Sequence, residues 1–310
     1  MRRRDRLRGA MNVTETVPSG ETAGGLPAAT PRAAYGATLG AAGLGLLACL
    51  GAGLARSDGA EPWIANALGL GLSAAGLWMR GVRPLDLLRA VRAIGARGAD
   101  ALERETGLAA VAISLGGLHA LAWLPLGLRL WPLGLVAGLA AAASVLFHGL
   151  AYARREDAPR WSGAPTPLLF LTLAGCGGLL GLSAVENVLG FPPSLVVWKA
   201  ALAIIGLGLA AQLWTAQAAE AVKAASEAGR LEGPLLDGPA HEATRRAARP
   251  LGAAALGLGL GVPILCAVAA DFLPGGFWMP VALGAHLAGA CVHRRLFLAQ
   301  AERARPESLQ

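Results

Sequence analysis

Glu105 and His148 are the residues of this chain best placed to move protons. Glu105 opens a long apolar stretch, and His148 lies near the end of the next one, four residues before Tyr152. A carboxylate or an imidazole at the edge of an apolar phase can serve as a general base toward a bound hydroxyl group. Arg80 and Arg83 precede Glu105 in the same polar segment. Their guanidinium groups can hydrogen-bond a carbonyl oxygen but do not give up a proton. Each residue also has a purely structural role open to it. Glu105 can offset a helix dipole or pair with Arg104 or Arg83. His148 can be a satisfied bundle residue, and the two arginines can be ordinary interfacial residues.

Other constellations carry less chemistry. Cys49, Cys176, Cys266 and Cys291 each lie alone in an apolar stretch, so no pair has zinc or iron–sulfur spacing. No metal site is expected. Bis-histidine haem needs ligands at matching depth on facing helices. At about 1.5 Å per residue, His119 lies roughly 20 Å in and His148 only about 7 Å. His286 is at mid-span and His293 near the end of its stretch, so no pair matches well and a haem-free chain is expected. Glu186 and Lys199 end neighbouring apolar stretches, where pairing or snorkelling accounts for them. Gly257, Gly259 and Gly261 lack the strand–turn–helix context of a phosphate loop. Gly36 and Gly40, four apart, read as a close-packing signal.

The elements that must position these residues are membrane helices. The chain has 310 residues, of which 55% are hydrophobic and only 15% charged, with a mean hydropathy of +0.51. Soluble domains carry about 25% charged residues. Eight stretches are long and apolar enough to span a bilayer: about 35–55, 63–79, 106–125, 131–153, 166–186, 194–217, 251–270 and 276–297. The expected fold is an all-α bundle of eight transmembrane helices.

Nearly every Lys and Arg falls in alternate polar segments, those on the side of the N-terminus. The opposite side holds Arg56 and Arg129, with Lys199 just inside a helix. That asymmetry predicts a multi-pass protein of the inner (plasma) membrane with both termini cytoplasmic. It also accounts for the net charge of +7, and nucleic acid is not needed as a partner. Residues 1–34 read as a disordered cytoplasmic tail, 35–300 as the membrane domain and 301–310 as a C-terminal tail. Within the loop 80–105, Leu87, Val91 and Ile94 at helical spacing predict an interfacial amphipathic helix from Pro84 to Arg104. The cytoplasmic loop 218–250 begins with Glu220 and Lys223, which can extend the sixth helix. Gly229, Gly233 and Pro234 then break it, and His241 to Arg249 can form a short helix.

Two segments carry a family resemblance. Arg80-Gly-Val-Arg83-Pro84-Leu-Asp-Leu-Leu-Arg89, followed by Glu103-Arg104-Glu105-Thr106-Gly107-Leu108, resembles the loop between the second and third helices of the membrane anchor subunit of the dimethyl sulfoxide reductase family. There the pattern is His-Leu-Gly-Arg-Pro, an Arg-rich amphipathic piece, then Ser-Arg-Glu. Tyr152-Ala153-Arg154, Pro159-Arg160-Trp161 and Thr166-Pro167-Leu168-Leu169-Phe170-Leu171 resemble the same family's link into its fifth helix. The resemblance implies an eight-helix anchor that oxidises menaquinol, binds no haem or iron–sulfur cluster itself, and is not catalytic alone. Its implied partners are an iron–sulfur electron-transfer subunit and a molybdopterin catalytic subunit, with lipid around it. In this resemblance Glu105 matches the family's acidic quinol-site residue, and Arg83 and Pro84 match its Arg and Pro. The family's histidine falls on Arg80, and His148 is the imidazole expected at Glu105's depth. Two other functions compete: a small-solute membrane transporter, and a structural anchor without a quinol site.

Overall fold

The structure is a computed structural model that describes residues 30–56, 59–154, 165–191, 193–227, 250–273 and 275–304. The fold is all-helical, 85% helix, with no strand among the described residues. In chain order the helices are α1 (Pro31–Gly51), α2 (Glu61–Met79), α3 (Pro84–Ala93), α4 (Ala101–Trp123), α5 (Trp131–Ala153), α6 (Pro165–Val188) and α7 (Pro193–Glu227). They are followed by α8 (Pro250–Phe272) and α9 (Trp278–Ala304). The described residues therefore hold nine helices rather than eight. The additional one is α3, the short amphipathic helix of the 80–105 loop.

Among the described residues, six helices are long and apolar enough to cross a membrane: α1, α4, α5, α6, α8, and α7 over Trp198–Gln217. Their outward faces carry Leu121, Leu139, Ile205 and Leu265, all exposed. So many large apolar side chains facing outward suit lipid rather than water. Trp63, Trp78 and Trp131 are exposed at helix ends, where an aromatic belt would place them. These helices and outward faces are those of a multi-pass membrane protein.

α1 and α6 form the centre. In α1, 72% of the apolar stretch is buried, against 28% for α7. α1 packs on α2, α4, α5, α6 and α9. Glycines make these approaches possible. A side chain on Gly45 would strike the Ala174 backbone of α6, one on Gly51 the Gly134 carbonyl of α5, and one on Gly76 the Gly40 backbone of α1. Gly36 also meets Gly76, so the Gly36–Gly40 pair is a packing device. Leu46, Phe170 and Leu182 are fully buried in the core that joins α1 to α6, while Leu180, Ala203 and Met279 join α6 to α7 and α9.

Several boundaries differ from expectation, each for a local reason. α1 begins at Pro31, ahead of residue 35, because Thr30 caps it and proline suits the first turn. Residues 1–29 lie outside the described residues. α4 begins at Ala101 rather than 106. Asp100 caps it and Glu103 returns to the Asp100 N–H at 3.3 Å, a capping box that overrides the polarity of its first turn. α3 is accordingly shorter than Pro84–Arg104. α7 continues to Glu227, consistent with the Glu220–Lys223 extension. The expected helix at 241–249 lies outside the described residues. α9 runs to Ala304 and so includes part of the expected C-terminal tail. α8 contains a π-helical turn at Gly257–Gly261. Gly289 of α9 packs on Gly259 there, and His286 reaches the Gly259 carbonyl at 3.0 Å.

Candidate functional site

Glu105 lies one turn inside α4, on the face it shares with Ala101, Ala109 and Ala112, all buried. α3 braces this end: a Cβ on Gly107 would strike the Ala90 carbonyl, so the two helices touch backbone to backbone. His148 lies on α5, on a buried face with Ala141, Ser144, Val145 and Tyr152. Arg80 caps the C-terminus of α2, and Gly81, at φ 82°, turns the chain toward α3.

These three residues meet. Arg80 donates to both carboxylate oxygens of Glu105, Nη1 to Oε1 at 2.6 Å and Nη2 to Oε2 at 2.5 Å. His148 Nδ1 lies 3.6 Å from Glu105 Oε2, just beyond hydrogen-bond length. The Ser144 hydroxyl donates to the Glu105 carbonyl at 2.9 Å and fixes α5 against α4. Glu105 and His148 are both buried, and Arg80 is nearly so.

The structure adds a residue that the sequence reading placed among the cytoplasmic arginines. Arg294 of α9 is buried, and its Nη1 lies 2.9 Å from His148 Nε2. Arginine has no acceptor, so this bond requires Nε2 to accept and places the imidazole hydrogen on Nδ1, facing Glu105. His148 is then neutral, and the cluster holds two guanidinium groups against one carboxylate. Arg294 also stacks on the Phe170 ring with its Cζ 4.2 Å from the centroid. Phe170, Tyr152 and Phe297 pack edge to face beneath it, with centroids 5.2 to 5.9 Å apart. A helical period linking Arg294 to buried Ala290, Cys291, Phe297 and Leu298 is the sequence signal that marks it.

Arg83 is not brought into this cluster. It is exposed as the N-cap of α3, with its backbone N–H bonded to Asp86 Oδ2 at 3.0 Å. Proline at position 84 starts α3 there and turns Arg83 outward. Arg104 also stays outside: its Nη2 reaches the Ala96 carbonyl at 3.1 Å.

A narrow cavity, wide enough for water, opens beside the cluster between α1, α2, α4 and α5. Ala37, Gly40, Ala41 and Leu44 line it from α1, Ser73 and Leu77 from α2, and Arg80, Glu105 and His148 close it. The arrangement presents Arg80, Glu105 and His148 to a polar group in the cavity, with the carboxylate as the proton acceptor.

The other described histidines have other neighbours. His286 reaches two carbonyls, Gly259 by Nδ1 and Leu173 by Nε2 at 3.1 Å. His119 packs on Trp123 and beneath Gly134. His293 packs on Trp214 at 4.1 Å between centroids. Among the described residues no three His, Cys, Asp or Glu side chains gather as a metal site.

The chain matches no family model, no curated protein and no solved structure.

Proposed function

We propose that this chain is the eight-crossing membrane anchor of a quinol-oxidising oxidoreductase complex, resembling the anchor subunit of dimethyl sulfoxide reductases. α2 and α9 complete the crossings beside the six most apolar helices, and both termini face the cytoplasm of the inner (plasma) membrane. The chain takes electrons from menaquinol and passes them to an iron–sulfur subunit, which feeds a molybdopterin catalytic subunit. It does not turn over alone.

The observation that supports this reading best is the buried meeting of Glu105, Arg80 and His148 beside a cavity. A quinol loses two protons as it loses two electrons, so its site needs a positioned acceptor. A carboxylate offers about four lone-pair sites. Arg80 occupies two, which leaves Glu105 able to accept from a hydroxyl approaching along the cavity. Arg80, at the cavity wall, offsets the negative charge that builds on the quinol oxygen as its proton leaves, and Arg294 holds His148 from behind.

Purification from native membranes tests the assignment. The expected result is a complex containing molybdenum and iron–sulfur subunits that oxidises a menaquinol analogue. The π-turn in α8, with His286 at the Gly259 carbonyl, favours a second reading. A π-turn inside a continuous helix is frequently found at a functional site, here that of a small-solute transporter. Isolation as a lone, stable oligomer without redox partners would favour that reading.

A further inference from the structure

His286 meets a carbonyl oxygen at each of its ring nitrogens, and the two carbonyls belong to different helices. The residue lies midway along α9 and is buried. Nδ1 stands 3.0 Å from the Gly259 carbonyl of α8, and Nε2 stands 3.1 Å from the Leu173 carbonyl of α6. Gly289 packs its backbone on that of Gly259 and so brings α9 close to α8. The Gly259 carbonyl needs a donor from outside its own helix. In a regular helix it would accept from the N–H of residue 263, and Pro263 has none. The π-turn at Gly257–Gly261 lies directly before that proline. The Leu173 carbonyl differs, because Gly177 stands four residues ahead of it in α6 with an N–H to give.

A carbonyl oxygen only accepts. A neutral imidazole has one N–H and one bare nitrogen, so it satisfies one of these carbonyls and sets a lone pair against the other. An imidazolium has two N–H groups and satisfies both. We propose that His286 is a proton-binding site at the centre of the bundle, where a proton taken from water onto Nε2 completes a bridge from α9 to both α6 and α8. Loss of that proton returns it to water and breaks the bridge to α6. The neutral ring keeps its hydrogen on Nδ1, toward the carbonyl that proline has deprived of a donor. The charged groups of the packed helices stand away from the ring. On α6, Cys176 donates by Sγ to the Ala203 carbonyl of α7 at 3.6 Å, and Glu186 is bonded to Lys199 of α7. α8 carries Cys266 and Asp271, and α1 carries Tyr35 and Cys49. On α9 itself Cys291, His293 and Arg294 follow His286, and Arg294 is turned to His148. At about 1.5 Å per residue, Asp271 and Glu186 lie roughly 18–20 Å along their helices from Gly259 and Leu173. Two charge-assisted hydrogen bonds, rather than a carboxylate, therefore offset the burial of the positive charge. A proton held in that way exchanges, so the site loads and unloads instead of keeping a permanent cation.

Solid-state NMR of the full-length chain in lipid bilayers tests this, with isotope labels on histidine ring nitrogens and on glycine and leucine carbonyls. The spectra are taken across the pH range in which the chain stays folded. His286 is identified as the imidazole with a glycine carbonyl beside one nitrogen and a leucine carbonyl beside the other. Its signals should be missing from His286→Gln, and the carbonyl neighbours identify it even if that variant does not fold. The expected result is a ring with one N–H, on Nδ1, at the alkaline end. As pH falls, the Nε2 signal should move from the bare-nitrogen position to the N–H position, and its coupling to the leucine carbonyl should appear. A ring that keeps one bare nitrogen at every such pH, or that gains a proton without bonding to the leucine carbonyl, overturns the proposal. Neither functional reading enters this measurement, so its outcome and that of the anchor assignment are separable.

Discussion

At the scale of single residues, the cluster is held by directional bonds whose removal has distinct consequences. His148 does two things: it presents Nδ1 to Glu105 and accepts from Arg294 at Nε2. Replacing it with Ala leaves the Arg80–Glu105 pair intact, so quinol turnover should fall less than in a Glu105 variant. Arg294→Gln retains a donor of similar reach but removes one of two buried positive charges. The expected effect is weaker quinol binding, read as a raised KM with assembly preserved; a loss confined to kcat would contradict a role in binding. Glu105 and His148 were recognisable from sequence because a polar group in an apolar stretch stands out. Arg80 was recognisable as the residue standing at the motif's histidine position. That it clamps Glu105 depends on the end of α2 meeting the second turn of α4, a relation that no local pattern encodes. Arg294 was hidden because it adjoins Arg295 and seemed to begin the cytoplasmic tail. The helix continues past both and turns them to different faces, Arg294 inward and Arg295 outward.

At the scale of elements, glycine contacts decide how closely helices approach. Gly45 and Gly178 bring α1 against α6 with no room for a Cβ on either. Gly178→Val should push the helices apart. Overpacking of this kind costs about 1–3 kcal/mol, and here it is met by backbone rather than a side chain that can turn aside. A thermal melt of the purified variant should show the loss, and wild-type stability would mean that α1 and α6 do not cross at this point. Long apolar runs disclosed the helices themselves, since a span needs about 20 apolar residues. Their ends were less visible. The Asp100–Glu103 capping box extends α4 back by five residues from the expected start, and that shift places Glu105 inside the helix rather than at its mouth. The π-turn in α8 was likewise concealed, because five consecutive Gly and Leu residues read as ordinary apolar helix.

At the scale of the whole molecule, charge placement sets the orientation. With Arg80, Arg89, Arg92 and Arg294 toward one side and few basic residues on the other, both termini should be cytoplasmic. A reporter active only outside the inner membrane, fused after Gln310, should stay silent, and strong activity would reverse the assignment. The cluster at Arg80 and Glu105 then opens toward the cytoplasmic half. The most direct test of the central claim is quinol-dependent turnover of the assembled complex carrying Glu105→Gln. Removing one partner of a buried ion pair costs about 3–5 kcal/mol, so the Arg80→Gln, Glu105→Gln double variant, which removes both charges, is measured beside it. Loss of a positioned base typically slows a reaction 10²–10⁴-fold. Both variants should lose quinol turnover by about that factor, while a reduced dye still delivers electrons directly to the partner subunits. Full quinol activity in both variants, in complexes that assemble normally, would contradict the assignment of this cluster as the quinol site.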